Sequence, residues 1–181
     1  MTRRRRVGFV VALFIAAILG TATVVAVTRD EAKPNNGDAT TPRAGQRAPG
    51  FELATIYGRR IDLASTYGQP TVITFGASWC HPCRREYPLL AAALRQHQSL
   101  RVVGIMEQDS PGIMANFMRD LGADWPVAND ANGTVRGIYG VDGMPDTWFV
   151  QPNGTIASRV IGEIDSSTLN HHLAAILAPV R

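Results

Sequence analysis

Cys80 and Cys83 are the only two cysteines of the 181-residue chain, and they lie within Trp79-Cys80-His81-Pro82-Cys83. The segment before the motif has a strong β-strand pattern, and the segment that starts at the motif has a helical pattern. At a helix N-terminus, unpaired backbone N–H groups and the positive end of the helix dipole stabilise a thiolate. We therefore predict that Cys80 is the attacking thiol of a thiol–disulfide exchange, and that Cys83, one turn further along the helix, resolves the mixed disulfide.

The other three residues of the motif are expected to tune this chemistry. Pro82 suits the first turn of a helix, where its missing N–H leaves no bond unmade. A protonated His81 would add a nearby cation and lower the pKa of Cys80 further. Trp79, next to the attacking thiol, is expected to shape the surface that meets the substrate.

Two other interpretations of the cysteine pair stay open on the residues alone. A tetrahedral zinc site needs two further ligands, for which His97, His171 and His172 are the candidates. The last two are adjacent on a predicted helix and point about 100° apart, so they do not face one metal together. A permanent structural disulfide would not require the strand–cysteine–helix arrangement. We expect redox chemistry, with no metal and no cofactor beyond the disulfide itself.

The segments around the motif alternate between strand and helix patterns, which predicts an α/β fold with a mixed sheet. Short β-branched runs mark the strands, and serine, aspartate and proline mark the helix starts. The predicted strands are 51–53, 60–63, 71–75, 100–106, 147–150 and 155–161, the predicted helices are 81–97, 111–121, 134–139 and 166–177, and Pro88 is expected to kink the first helix.

A second motif, Gly143-Met144-Pro145-Asp146-Thr147, precedes a predicted strand. Together with the strand–Trp-Cys-x-x-Cys–helix pattern it resembles thioredoxin, over about residue 46 to the C-terminus. Further details resemble the membrane-tethered TlpA/ResA/CcmG (DsbE) branch of thiol–disulfide oxidoreductases. These details lie at 48–53, 83–88 and 139–141. The resemblance implies a thioredoxin fold, with a mixed central sheet flanked by helices and an N-terminal β-hairpin extension.

The resemblance also assigns roles to residues outside the cysteine motif. It implies a cis peptide bond between Met144 and Pro145, placed against the disulfide. It implies that Glu86 acts on the redox pair, because Thr74 stands where thioredoxin has a buried aspartate. Partial burial would raise the pKa of Glu86 and let it exchange a proton with Cys83. Glu107, at the end of a strand, is a weaker candidate for the same site.

The N-terminal region predicts a membrane anchor. Residues 7–27 contain 21 consecutive uncharged residues, about 30 Å as a helix, and four arginines lie within the preceding positions 1–6. The positive-inside rule places the N-terminus in the cytoplasm and the remainder outside. A cleaved signal peptide ending near Ala26 is the alternative. Residues 28–48 are rich in proline, glycine, asparagine and threonine and predict a flexible linker to a domain at 49–181.

The charge distribution argues against nucleic acid as a partner. Five of the 18 basic residues lie in the first 29 positions, which leaves 13 basic against 15 acidic residues in the rest of the chain. The predicted domain is therefore mildly acidic, although the whole chain has a net charge of +3. A surface that binds the phosphates of a nucleic acid would need an excess of basic over acidic residues.

These observations predict a single-pass protein of the cytoplasmic membrane that exchanges disulfides outside the cytoplasm. By analogy with the family, the favoured task is to reduce cysteines of exported proteins, for example apocytochrome c before haem attachment. A membrane electron donor or acceptor would recycle the pair. The alternatives are an oxidant that forms disulfides in exported proteins, a peroxiredoxin-like peroxidase and a copper-binding assembly protein.

Overall fold

The computed structural model of the chain describes residues 41–178. Its elements follow the predicted alternation of strands and helices. They are β1 (Glu52–Ala54), β2 (Arg60–Asp62), a 3-10 helix (Leu63–Thr66), β3 (Thr71–Gly76), α1 (His81–Gln96), β4 (Arg101–Met106), α2 (Pro111–Asp120), β5 (Val127–Asn129), α3 (Thr134–Tyr139), β6 (Asp146–Val150), β7 (Ile156–Ile161) and α4 (Ser166–Leu177).

Strands β3 to β7 form one mixed sheet in the order β5-β4-β3-β6-β7. β3, β4 and β5 are parallel, and β6 is antiparallel to both β3 and β7. β1 and β2 pair with each other as a separate antiparallel hairpin, as the alternation around Gly58 predicted. The parallel strands are joined through helices and the last two strands by a tight turn, which is the mixed architecture expected from the sequence.

β3 lies at the centre of the sheet and is buried on both faces. Val72 packs into an apolar cluster with residues of α1, α2 and α4. Ile73 and Phe75 point to the opposite face, into a second cluster with α3 and the N-terminal hairpin. The uninterrupted β-branched and aromatic run of β3 is explained by this two-sided burial, because no position of the strand faces water.

The ends of the helices follow their capping residues. The Asp165 side chain accepts a hydrogen bond from the Thr168 backbone N–H at 2.7 Å and starts α4. Leu169, Leu173 and Ile176 are buried on one face of that helix, as their spacing predicted. α1 continues through Pro88 to Gln96.

β5 was not predicted. It has three residues and pairs in parallel with β4. Its Ala128 also forms an isolated antiparallel β-bridge with Thr55, in the segment after β1. Three residues are too few to show a period of two, so only the pairing with β4 reveals the strand. The 3-10 helix was also missed, although Asp62 caps it by accepting from the Ala64 N–H at 2.9 Å.

The predicted cytoplasmic segment 1–6, the predicted span 7–27 and most of the predicted linker lie outside the described residues. The end of that linker contacts the domain, because the Gly45 and Ala48 N–H groups donate to Ile156 and Gly154 carbonyls. Backbone contacts of the domain therefore begin before residue 49. Within residues 41–178, no helix has the length and apolar character needed to cross a membrane.

Candidate active site

The cysteine motif occupies the junction between β3 and α1. Cys80 is the N-cap of α1, and its Sγ accepts the Cys83 backbone N–H at 3.2 Å. Pro82 lies in the first turn, where it leaves no hydrogen bond unmade. The two sulfurs form a disulfide across a Cα–Cα distance of 5.3 Å. The geometry thus places the Cys80 sulfur at the N-terminal end of the helix dipole, as the sequence predicted.

The two sulfurs differ in their access to solvent. The residue Cys80 keeps 4% of its surface exposed and Cys83 none, so Cys80 is the more accessible of the two. This difference supports the predicted order, in which Cys80 attacks a client and Cys83 resolves. His81, between them, is exposed, and Pro82 is half-buried.

The second motif lies beside the cysteine motif, at the start of the strand next to β3. The Met144–Pro145 peptide bond is cis, which confirms that expectation. Phe75, near the end of β3, pairs with Asp146, so Pro145 comes beside the point where the chain leaves β3 for the cysteine motif. Pro145 is buried, and Met144 is half-buried against the apolar cluster that contains both cysteines.

Glu86 lies one helical turn after Cys83, on the inner face of α1, and is fully buried. Its Oε1 accepts a hydrogen bond from the Thr147 hydroxyl at 2.8 Å and a long one from the Thr74 hydroxyl at 3.5 Å. Its Oε2 accepts no hydrogen bond of normal geometry from residues 41–178. No cation pairs with it in this region of the chain, so burial is only partly compensated.

Burial therefore dominates the titration of Glu86. Loss of hydration raises the pKa of its carboxyl from 4.5 to about 7, against the opposing effects of the Thr147 hydroxyl and the Ile164 backbone N–H. A carboxyl with a pKa near neutrality exchanges protons readily at physiological pH. Glu86 is fully buried, where partial burial was expected, and burial raises its pKa in the expected direction. Its action on the redox pair stays a prediction.

Asp146 is a second buried acid close to the site, and it differs from Glu86 in having a cation. The Arg159 Nε donates to Asp146 Oδ1 at 3.0 Å, and the Arg159 guanidinium also stacks over the Trp148 ring. Burial raises the pKa of Asp146, and Arg159 opposes the shift. Since Asp146 is paired with Arg159 and Glu86 pairs with no cation among the described residues, Glu86 is the better candidate for a proton carrier.

Trp79 forms the exposed edge of the site, with 56% of its surface in solvent. Its indole N–H donates to the Gln108 carbonyl at 3.1 Å. The Asp109 carboxylate accepts the neighbouring Ser78 N–H at 2.6 Å. Gln108 adopts a left-handed φ of 53°, which turns its carbonyl toward Trp79 in the loop after β4. This loop therefore holds the cysteine motif from the side.

Glu107 and Arg136 connect that loop to the cis-proline segment. The Arg136 guanidinium contacts the Glu107 carboxylate at 3.1 Å and donates to the Val141 carbonyl at 2.7 Å. A second, longer hydrogen bond reaches the Asp142 carbonyl at 3.4 Å. The result is a cleft of about 230 Å³ lined by Trp79, Glu107, Gln108, Arg136, Asp142, Gly143 and Met144.

The structure thus brings together Cys80, Cys83, Glu86, Met144 and Pro145, with Trp79 at the edge. Sequence reasoning did not predict that Thr74 and Thr147 are hydrogen-bond partners of Glu86. Thr74 and Thr147 are directly opposite each other on β3 and β6, and only the strand register shows that both face Glu86. Arg136 carries no motif of its own and was not singled out.

The metal interpretation of the cysteines gains no support from residues 41–178. These residues contain no group of three or more His, Cys, Asp or Glu side chains placed to hold a metal ion. His172 hydrogen-bonds with Ser158 and stacks on Phe149, and His171 lies against it, all far along the chain from the cysteine motif.

Comparisons with known proteins agree with the site. A family model described as AhpC/TSA matches residues 44–159. Thiol-disulfide oxidoreductase ResA of Bacillus subtilis is 29% identical over 134 residues, which cover 73% of this chain and 75% of that protein. A secreted Mycobacterium tuberculosis disulfide oxidoreductase homologous to E. coli DsbE is 28% identical with a TM-score of 0.64, over 69% of this chain and 95% of that one.

A third similar protein is a candidate thiol:disulfide interchange protein DsbE from Chlorobium tepidum. Its structure has a TM-score of 0.69 and 26% identity, over 76% of this chain and 99% of that one. These similarities confirm the predicted thioredoxin-like fold and the thiol–disulfide oxidoreductase class.

Proposed function

We propose that this chain, which belongs to the AhpC/TSA family, is a thiol–disulfide oxidoreductase that reduces the cysteines of exported proteins from the outer face of the cytoplasmic membrane. The general activity follows from the homologues and the Cys80–Cys83 disulfide. The observation that carries the proposal is a disulfide whose attacking sulfur caps a helix and whose resolving sulfur is buried one turn from Glu86.

In the reductive direction, the Cys80 thiolate attacks one sulfur of a client disulfide and expels the other as a thiolate. The mixed disulfide then joins Cys80 to the client. Cys83 loses its proton and attacks Cys80 Sγ, which expels the second client sulfur and closes the Cys80–Cys83 disulfide. Two electrons have passed to the client, and Glu86, with a pKa of about 7, is the group placed to take the Cys83 proton.

A trapping experiment tests this order of attack. Cys83→Ala should accumulate covalent adducts with cysteine-containing exported proteins, since nothing resolves the mixed disulfide. Cys80→Ala is the matched control and should form none, because Cys83 is buried. Equal adduct formation through Cys83 in the Cys80→Ala protein would reverse the assignment of the two thiols.

The direction of exchange is tested by the equilibrium with glutathione. A reductant of exported proteins requires a potential well below that of the oxidising compartment, and about 30 mV corresponds to 1.4 kcal/mol for this two-electron couple. We expect the Cys80–Cys83 pair to lie on the reducing side of glutathione. A potential clearly on the oxidising side would favour the alternative, an enzyme that forms disulfides in its clients.

The proposed location depends on the uncharged segment 7–27 and the arginines before it. One homologue, the M. tuberculosis oxidoreductase, is described as secreted, which is compatible with a domain outside the cytoplasm. Clients such as apocytochrome c and a membrane electron donor would then meet the domain there. A reporter fused after Arg181 should be active only outside the cytoplasm, and cytoplasmic activity would refute the topology.

A further inference from the structure

Tyr87 follows Glu86 on α1 and is the largest polar side chain buried next to the cysteines. It has no exposed surface, and its ring packs edge-on against Phe117 and Trp125. Its hydroxyl makes no hydrogen bond of normal geometry with residues 41–178. The ring alone accounts for the packing, so the hydroxyl is a buried polar group that the oxidised structure leaves without a partner.

The space around that hydroxyl is shaped by Gly76, the last residue of β3. A Cβ placed on Gly76 would lie 2.2 Å from the Tyr87 hydroxyl oxygen and 3.3 Å from Cys83 Sγ. The hydroxyl and the buried sulfur therefore face the same small space, and only a residue without a side chain leaves it open. The missing side chain at the end of β3 is explained by this approach of Tyr87.

An unpartnered buried hydroxyl destabilises the folded protein relative to an apolar group of the same shape. Such a group has a use if a partner appears in another state of the site. Reduction supplies one, because the Cys83 sulfur leaves its bond to Cys80 and becomes a thiol or thiolate, and a thiolate is a much stronger acceptor than a disulfide sulfur.

We propose that the Tyr87 hydroxyl donates a hydrogen bond to the Cys83 sulfur when the disulfide is reduced, and so stabilises the resolving thiolate. Tyr87 keeps its proton throughout: the two electrons enter the sulfurs, and the Cys83 proton is exchanged with Glu86 or water. Burial raises the pKa of the Tyr87 phenol, and the Glu86 charge adds to the shift, so the group acts only as a donor. The inference rests on the proposed exchange function.

Other groups around Cys83 act on its thiolate as well. Glu86 on α1 and Asp109 in the loop after β4 are the acids whose charges reach Tyr87, and both oppose a thiolate when ionised. Thr74 on β3 lies close enough for its hydroxyl to lower the Tyr87 pKa slightly, although the two do not form a regular hydrogen bond. The Tyr87 hydroxyl is then the donor positioned to offset the acids.

Tyr87→Phe tests the proposal because it removes only the hydroxyl. Tyr139→Phe is the matched control, since Tyr139 is equally buried but packs on the other face of the sheet and donates to the Pro49 carbonyl at 2.8 Å. Two measurements on the full chain are needed: the equilibrium constant with glutathione, and the ionisation of Cys83 in a Cys80→Ala background, followed against pH by the ultraviolet absorbance of the thiolate, which requires no reagent to reach the buried sulfur.

We expect Tyr87→Phe to shift the glutathione equilibrium about tenfold toward the disulfide, which is a fall of about 30 mV in potential. The ionisation curve of Cys83 should move to higher pH, and Tyr139→Phe should change neither quantity. Unchanged values in Tyr87→Phe would overturn the proposal. A wild-type chain that does not exchange with glutathione at all would instead refute the proposed function.

Discussion

Beneath the disulfide the site consists of side chains on regular elements, whereas beside the disulfide it consists of loops that hold one another. The lower region, which we call the floor, comprises Thr74, Cys83, Glu86, Tyr87 and Thr147, and none of these has exposed surface. Its side chains hold exchangeable protons, and their exclusion from water determines how readily those protons are released. The floor should therefore control the rate and pH dependence of exchange.

The region beside the disulfide, which we call the rim, comprises Trp79, Glu107, Gln108, Arg136 and Met144. It is held by bonds from side chains to backbone carbonyls, such as Trp79 to Gln108, and it borders an open cleft. No rim residue lies one helical turn from Cys83, as Glu86 does. The rim should therefore control how a client docks, and the two regions should respond differently to substitution.

The largest expected effect of the floor is on stability. Because the pKa of Glu86 rises from 4.5 to about 7 on folding, the folded protein holds a proton that the unfolded chain releases between these values. Stability should fall as pH rises through this window, by up to about 3 kcal/mol, and level off above it. Denaturant unfolding of the oxidised protein between pH 4.5 and 8 measures the fall.

Glu86→Gln provides the control for that experiment, since the amide does not titrate. Its stability should be nearly flat over the same window apart from contributions common to both proteins. Equal pH dependence in the two proteins would show that Glu86 is ionised in the folded state, and the floor would lose its distinguishing property.

The same substitution should slow exchange. Without a carboxyl to take the Cys83 proton, resolution of the mixed disulfide at neutral pH should be about 10–100-fold slower, the range for one general base. Stopped-flow measurement of client release gives this rate. The loss should shrink at high pH, where Cys83 ionises without help, and a loss independent of pH would mean that Glu86 acts only through packing.

Arg136→Met should affect docking more than chemistry. It removes the bonds to the Val141 carbonyl and to the Glu107 carboxylate, which is only 8% exposed and would lose its cation. We expect KM for a protein client to rise about tenfold with kcat and the glutathione equilibrium nearly unchanged. Arg60→Met is the control, because its ion pair with Glu52 is exposed and belongs to the β1–β2 hairpin, which does not line the cleft. A shift in the equilibrium as large as that in KM would remove the distinction between rim and floor.

Trp79→Phe should have the smallest effect. It keeps an aromatic surface but removes the N–H that donates to the Gln108 carbonyl, a bond with a net value of about 1 kcal/mol in partly exposed settings. A rise of about threefold in KM for a protein client is expected, with no change for a small disulfide that does not touch the rim. An equal effect on both substrates would place Trp79 in the chemical step.

The sequence was informative where local pattern determines structure. The start of α1 and the burial of β3 follow from short motifs, since capping and packing act over a few residues. The cis bond before Pro145 was expected only because the motif around it resembles thioredoxin. It was silent where two distant segments must be aligned. Thr147 meets Glu86 through the register of β6 on β3, and Arg136 meets Glu107 across 29 positions of chain. Neither contact leaves a periodic signal.

The floor is distinguished from the rim by a carboxyl that should titrate near neutrality one helical turn from the resolving thiol. Infrared difference spectra of the oxidised protein against pH, with Glu86→Gln subtracted, report the protonated Glu86 carboxyl directly. We expect its carbonyl band to disappear with a midpoint of about 7. A midpoint near the ordinary value of 4.5 would contradict the claim, because the carboxylate would then be ionised throughout the physiological range.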